Sequence, residues 1–140
     1  MDQFRYDIPT VDAGTRPLWD GVAEGRLLIK RCRECSRAHF YPRGFCPHCW
    51  STAVEWEQAS GLGTLYTWSV VRVNDLPPFD QRVPYIAAIV ELAEGPRVMT
   101  NVVDCAVADL RADMELELAC RAIPDGPLLP FFRPRALPHA

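Results

Sequence analysis

Two pairs of cysteines, Cys32-x2-Cys35 and Cys46-x2-Cys49, constrain this chain more than any other feature. Only ten residues separate the pairs, so the two short loops can converge into one tetrahedral cage of thiolates, the arrangement of a zinc ribbon. Four protein ligands fill a tetrahedron and leave no open position for water or substrate, so the metal's role is structural. Three other readings use the same residues. A pair of disulfides requires an oxidising compartment, and the first residues, MDQFRYDIPT, have neither the basic nor the apolar region of a secretory leader. The expected location is therefore cytoplasmic. A redox Cys-x-x-Cys explains one pair and leaves the other idle. Iron in a rubredoxin-like site takes the same four ligands, and only metal analysis separates it from zinc. His39 and His48 lie beside the pairs, but two regular knuckles already complete the cage. Both are expected on the surface or behind the ligands.

The chain has 140 residues, 49% of them hydrophobic, which suffices for a small metal module and one modest core. Apolar runs such as Ile86 to Val90 are too short to cross a bilayer. A net charge of -3 argues against a dedicated nucleic-acid binder, which needs a dense cationic face. The charge is uneven, however. Arg26, Lys30, Arg31, Arg33, Arg37 and Arg43 face a single acid, Glu34, across residues 26–43. That stretch suits an anionic ligand or an acidic partner, or else balances the thiolate site. Cys105 and Cys120 stand alone among apolar residues and read as core thiols rather than nucleophiles.

Along the chain, an extended arm precedes a short helix over TRPLWDGVAEG (15–25), with Thr15 as cap, Pro17 in the first turn, Leu18 and Val22 on one face and Gly25 as the stop. A strand at Leu27 to Ile29 leads into the first knuckle, and a second at His39 to Tyr41 completes a hairpin. Val54 to Glu57 and Gly61 then lead to a long strand from Thr64 to Val73, with Leu65, Thr67, Ser69 and Val71 on one face and Tyr66, Trp68, Val70 and Arg72 on the other. NDLPPFDQRVP (74–84) reads as an irregular loop. Further strands are predicted at Tyr85 to Leu92, Arg97 to Val103, Met114 to Ile123 and Leu128 to Phe132, with a short helical stretch near Val107 to Leu110. Five strands with a helical turn before the fourth make a small closed Greek-key barrel, best matched by the OB-fold. The expected division is an arm and helix over 1–25, a ribbon over 26–57 and a barrel with its tail over 58–140. No phosphate-binding glycine loop, nucleophile elbow or zinc-protease helix is present.

Gly25-Arg26-Leu27, the first knuckle, Pro42-Arg43 and Cys46-Pro47-His48-Cys49 together resemble a bacterial and archaeal family with a rubredoxin-like zinc ribbon followed by an OB-fold, long filed as a domain of unknown function. The resemblance continues through SGLGTLYTWSV (60–70), PYIAAIVEL (84–92), EGPRVMTNVV (94–103) and LPFFRP (129–134). Ser36, Trp50 and Asp113 depart from it, each standing where glycine commonly accepts a left-handed backbone. The resemblance implies a non-catalytic accessory subunit of a thiolase-like enzyme: a thiolase, an acyl-CoA condensing enzyme or a retro-aldolase that shortens sterol side chains. It also implies that Arg31, Arg33, Arg37 and Arg43 lie near coenzyme A phosphates, which guanidinium groups bind well. The competing expectation is a single-stranded nucleic-acid binder, with Tyr66 and Trp68 as stacking residues.

Overall fold

The computed structural model describes residues 5–135; residues 1–4 of the arm and 136–140 of the tail lie outside the described residues. Mainly β, it has one helix, α1 (Arg16–Ala23), a three-stranded sheet and a closed five-stranded barrel. The sheet contains β1 (Leu28–Cys32), β2 (Ala38–His39) and β3 (Val54–Gln58) in the order β2-β1-β3. The barrel contains β4 (Leu62–Val71), β5 (Tyr85–Leu92), β6 (Arg97–Val102), β7 (Glu115–Ala122) and β8 (Leu128–Pro134) in the order β4-β5-β6-β8-β7. All ladders are antiparallel except β6 with β8, the pairing expected of an OB-fold. Among the described residues, no helix is long and apolar enough to cross a membrane.

Several expectations shift in detail. The ribbon is a three-stranded sheet rather than a hairpin, because β3 pairs with β1 along its whole length, from Leu28 opposite Gln58 to Cys32 opposite Val54. The strand expected at His39 to Tyr41 is two residues long and ends at His39. The loop over 74–84 contains one turn of 3-10 helix at Phe79–Gln81, and the turn before β7 is likewise 3-10, at Val107–Asp109. Thr15 makes no side-chain cap to α1; its Oγ1 accepts from the Asp12 N–H, and its own N–H donates to Asp12 Oδ1. Gly25, at φ 79°, ends α1 as expected, its N–H donating to the Val22 carbonyl.

The alternation along β4 is broken by a bulge. Leu65 pairs with Val90, but Thr67 pairs with Ile89, so one extra residue enters at Tyr66. Beyond it, Trp68 and Val70 sit opposite the inward-facing Ala88 and Ile86, and the face assigned to Thr67 and Ser69 turns to solvent. Near the start of β4, a Cβ on Gly63 would lie 2.7 Å from both the Glu91 carbonyl oxygen and Val90 Cγ1, so β4 and β5 meet there only because position 63 has no side chain.

One core serves ribbon and barrel. Leu18 and Val22 of α1, Leu27, Ile29 and Ala38 cluster with Leu65, Val90, Val98, Leu116 and Phe132 of the barrel. Leu18, Val22 and Phe132 are fully buried within the chain. The helix face and this phenylalanine of β8 are therefore covered by the chain itself and offer no surface to a partner.

The arm is held by charge. The Asp7 side chain, 1% exposed, accepts from Arg5 (2.8 Å) and from Arg82 (2.8 Å), while Arg5 also donates to the carbonyls of Pro124 and Asp125. The Arg5 hydrogen bond, working against burial and joined by Arg82, lowers the Asp7 pKa from 3.8 to about 2. Because the folded value lies below the unfolded one, the clamp's contribution is complete above about pH 4 and is lost as pH falls toward 2. Asp7→Asn is expected to cost about 2 kcal/mol at pH 7 by leaving two guanidinium groups without their carboxylate. Thermal midpoints of the variant and wild type, recorded from pH 7 to pH 2, should converge at the acid end.

Candidate metal centre and the seam beside it

Each knuckle is built by its backbone. In the first, the Ser36 N–H donates to the Cys32 carbonyl (3.0 Å), and the N–H groups of Glu34 and Cys35 point at Cys32 Sγ (3.4 and 3.5 Å). The second repeats this: the Trp50 N–H donates to the Cys46 carbonyl (2.8 Å) and the His48 N–H to Cys46 Sγ (3.4 Å). Both turns close through a left-handed residue, Ser36 at φ 66° and Trp50 at φ 67°, and Asp113 also adopts φ 65°. The three departures from glycine thus keep the glycine-like backbone at some conformational cost.

The four sulfurs lie within 4.8 Å of one another, with Cys32 to Cys49 and Cys35 to Cys46 each 3.6 Å apart. Tetrahedral zinc with Zn–S of about 2.3 Å needs sulfurs about 3.8 Å apart, so the cage fits the ion. Its electrostatics favour thiolates unequally. The Cys35 N–H, opposed by burial, brings the Cys32 thiol down to about 7, and Cys46 is lowered by the N–H groups of His48 and Cys49 although burial pushes the other way. Cys49 receives a favourable N–H from Ser51, yet burial and the neighbouring sulfurs push it up to about 12, and the metal's charge is what would make all four thiolates coexist.

Neither histidine joins the cage. His39 is 4% exposed, and burial, followed by the positive charges of Lys30 and Arg43, lowers its pKa. His48 is exposed, with Nδ1 3.5 Å from Arg37. Cys105 and Cys120 are half-buried, and burial raises both thiols.

The basic stretch divides in two. Arg31 forms a two-pronged pair with Glu57 (2.9 Å on each prong), Arg33 pairs with Glu55 (3.0 Å), Arg26 pairs with Glu24, and Lys30 lies 4.7 Å from the Trp56 ring. Glu55 and Glu57 come from β3, whose place beside β1 the sequence alone does not announce, whereas Glu24 caps the end of α1. Alternating Arg31/Arg33 and Glu55/Glu57 is the signal that fits the pairing. Arg37 and Arg43 have no carboxylate partner among the described residues. A groove of about 660 Å3 runs along the seam between ribbon and barrel, lined by Arg31, Arg37, His39 and His48 on one side and by Glu94 and Arg97 on the other. Arg33 and Arg43 lie outside it. The two proposed stacking residues do not form a platform: Tyr66 is exposed under the Arg97 guanidinium at 3.8 Å, while Trp68 packs against the core.

Residues 19–55 match the model of the ChsH2 rubredoxin-like zinc ribbon domain, and residues 56–121 match that of the ChsH2 C-terminal OB-fold domain. The chain belongs to this ChsH2 family. A DUF35 domain-containing scaffold protein from Methanocaldococcus jannaschii is 38% identical over 107 residues, covering 75% of each chain. A probable enoyl-CoA hydratase alpha subunit from Thermomonospora curvata is 32% identical over 90% of this chain, which spans only 39% of that protein. Among solved structures, a chain of "Ltp2-ChsH2(DUF35) aldolase" superposes with a TM-score of 0.78 at 32% identity, over 90% of this chain and 98% of that one. As a ChsH2-family member with a rubredoxin-like zinc ribbon, the protein has four cysteines positioned to hold a metal ion.

Proposed function

We infer that this protein is a non-catalytic accessory subunit of a cytoplasmic acyl-CoA enzyme complex, and that its partner is a thiolase-fold protein acting on the carbon-carbon bond next to a thioester. The observation that carries this reading is the match, at 32% identity, over 98% of a chain of the solved "Ltp2-ChsH2(DUF35) aldolase". The hydratase subunit name of a second relative and the scaffold name of a third fit the same role. The chain's own chemistry agrees. A cage of four thiolates offers substrate no Lewis acid, and the two remaining thiols are pushed away from the reactive thiolate form. Coenzyme A carries a 3'-phosphate and a diphosphate, and the seam groove, with Arg31, Arg37 and Arg97 on its walls, is the place where this chain would meet them. Arg33 and Arg43, the other two arginines that the resemblance implies, stand outside that groove.

The test is to purify the chain by an affinity tag, identify the enzyme subunit that comes with it and assay both. The isolated chain should turn over no acyl-CoA, while the complex should cleave or form a carbon-carbon bond. The double variant Arg37→Ala, Arg97→Ala should weaken coenzyme A binding to the complex about tenfold, flatten its salt dependence and leave metal content unchanged. Steady-state turnover by the isolated chain, or salt-sensitive binding to single-stranded DNA without affinity for any acyl-CoA enzyme subunit, defeats the reading.

A further inference from the structure

Trp50 combines three properties that are individually costly or uncommon. It is 76% exposed, whereas Trp19, Trp56 and Trp68 are half-buried, and it is held at φ 67°, where a bulky side chain is strained and glycine is not. Its ring lies parallel to that of Phe45, at 5.4 Å between centroids and an interplanar angle of 1°. Ser36 occupies the equivalent place in the first knuckle with a small polar side chain, so knuckle geometry does not require an aromatic there. The ligand preceding it, Cys49, is exposed, which leaves one corner of the metal cage open beside the tryptophan. Arg43, two residues before Phe45, is exposed and has no carboxylate partner among the described residues. From Ser36 to Val54 the chain contains no Asp or Glu at all.

We propose that the second knuckle, with Trp50 stacked on Phe45 and Arg43 at its rim, is a protein-docking surface that inserts Trp50 into an apolar, carboxylate-rimmed pocket of the enzyme subunit. Tryptophan and arginine dominate the energetics of protein interfaces, tryptophan because it buries much area with only two side-chain torsions and arginine because its planar guanidinium pairs with carboxylates, and the stacked ring pair is already ordered before contact. The partner's charge follows from the knuckle's: a face that carries Arg43, within a stretch from Ser36 to Val54 that has no acid, selects an acidic rim. A second copy of this chain fits poorly, since a two-fold contact through residues 36–54 sets cation against cation. Docking here also covers Cys49, so the partner shields the metal. The proposal rests on the accessory-subunit reading but concerns a face separate from the seam groove, which contains neither Trp50 nor Arg43.

The test uses the full chain and the enzyme subunit identified by co-purification, prepared separately. Trp50→Gly should weaken their association at least thirtyfold, while zinc per chain stays at one and the thermal midpoint holds or rises, because glycine relieves the strained backbone. A merely structural tryptophan gives the reverse: lower stability with unchanged affinity. Trp50→Tyr should recover most of the binding. Arg43→Ala should weaken binding three- to tenfold and reduce its salt dependence. Bound partner should protect Trp50 from oxidative footprinting and slow zinc extraction by a chelator. Affinity within twofold of wild type for Trp50→Gly, or equal Trp50 oxidation in free and bound states, overturns the proposal and leaves the accessory reading standing. Self-association through Trp50, or Trp50-dependent binding to oligo(dT), assigns the face to another occupant and likewise overturns it. Absence of any acyl-CoA enzyme subunit bound to wild type removes both readings.

Discussion

Replacing Cys35 or Cys49 by serine, or stripping the metal with a chelator, is expected to unfold the ribbon. Binding of zinc to a four-thiolate module supplies about 10–16 kcal/mol, most of it expressed as folding. The sheet β2-β1-β3 is small, with β2 only two residues long, so little else fixes the two knuckles. The barrel's own ladders persist, because none of them includes a knuckle residue. The shared core, however, loses its ribbon side when Leu27, Ile29 and Ala38 depart, and α1 packs against β1 as well as β8. Metal-free protein should therefore show two thermal transitions by circular dichroism, with the barrel transition below that of the native protein. A single unchanged transition after complete metal removal is the contrary result. Purified protein should carry about one zinc per chain and lack the thiolate-to-iron absorption that would mark a rubredoxin-like iron site.

The second large effect belongs to Phe132. It is fully buried, it belongs to the one cluster joining helix, ribbon and barrel, and it lies on β8, which pairs with β7 on one side and β6 on the other. Phe132→Ala should cost about 3–5 kcal/mol, the range for removing a buried aromatic side chain and leaving a cavity. Its neighbour Phe131 is only half-buried, so Phe131→Ala should cost much less. Denaturant titrations of the two variants make the comparison directly, and equal losses would place the tail's packing elsewhere.

The metal cage was legible because two Cys-x2-Cys pairs are local patterns whose geometry leaves few alternatives. The barrel strands were legible for a similar reason: β5 alternates buried and half-buried residues along its whole length, a period-two signal carried by Ile86, Ala88, Val90 and Leu92. The bulge at Tyr66 was not, since alternation assumes an unbroken ladder and the sequence TLYTWSVV is apolar on both faces. The pairing of Arg31 and Arg33 with acids more than twenty residues later depends on the register of β1 with β3, which is a tertiary fact. The Asp7 clamp was equally hidden. Its partner Arg82 lies 75 residues away in a loop, and nothing about an aspartate in an arm forecasts burial. Of the four arginines assigned by resemblance, the structure leaves Arg37 and Arg43 without carboxylate partners and sends them to different surfaces, a division that charge counting cannot make.

The barrel is closed between β6 and β8 by little. Their ladder consists of Val102 opposite Phe132, with the Val103 N–H donating to the Phe132 carbonyl (2.8 Å) and Thr100 Oγ1 donating to the Pro130 carbonyl (2.7 Å). Pro130 and Pro134 have no N–H to add to either ladder of β8. Amide exchange is thus a graded property of this cylinder. Protons along β5, secured on both flanks by β4 and β6, should exchange only through global opening, whereas the Val103 amide at the closing edge should exchange through a smaller, local excursion in which the cylinder uncurls into an open sheet. Breathing of this kind gives the molecule a latch side and a hinge side, and the latch lies on the strand that also carries Phe132 into the common core.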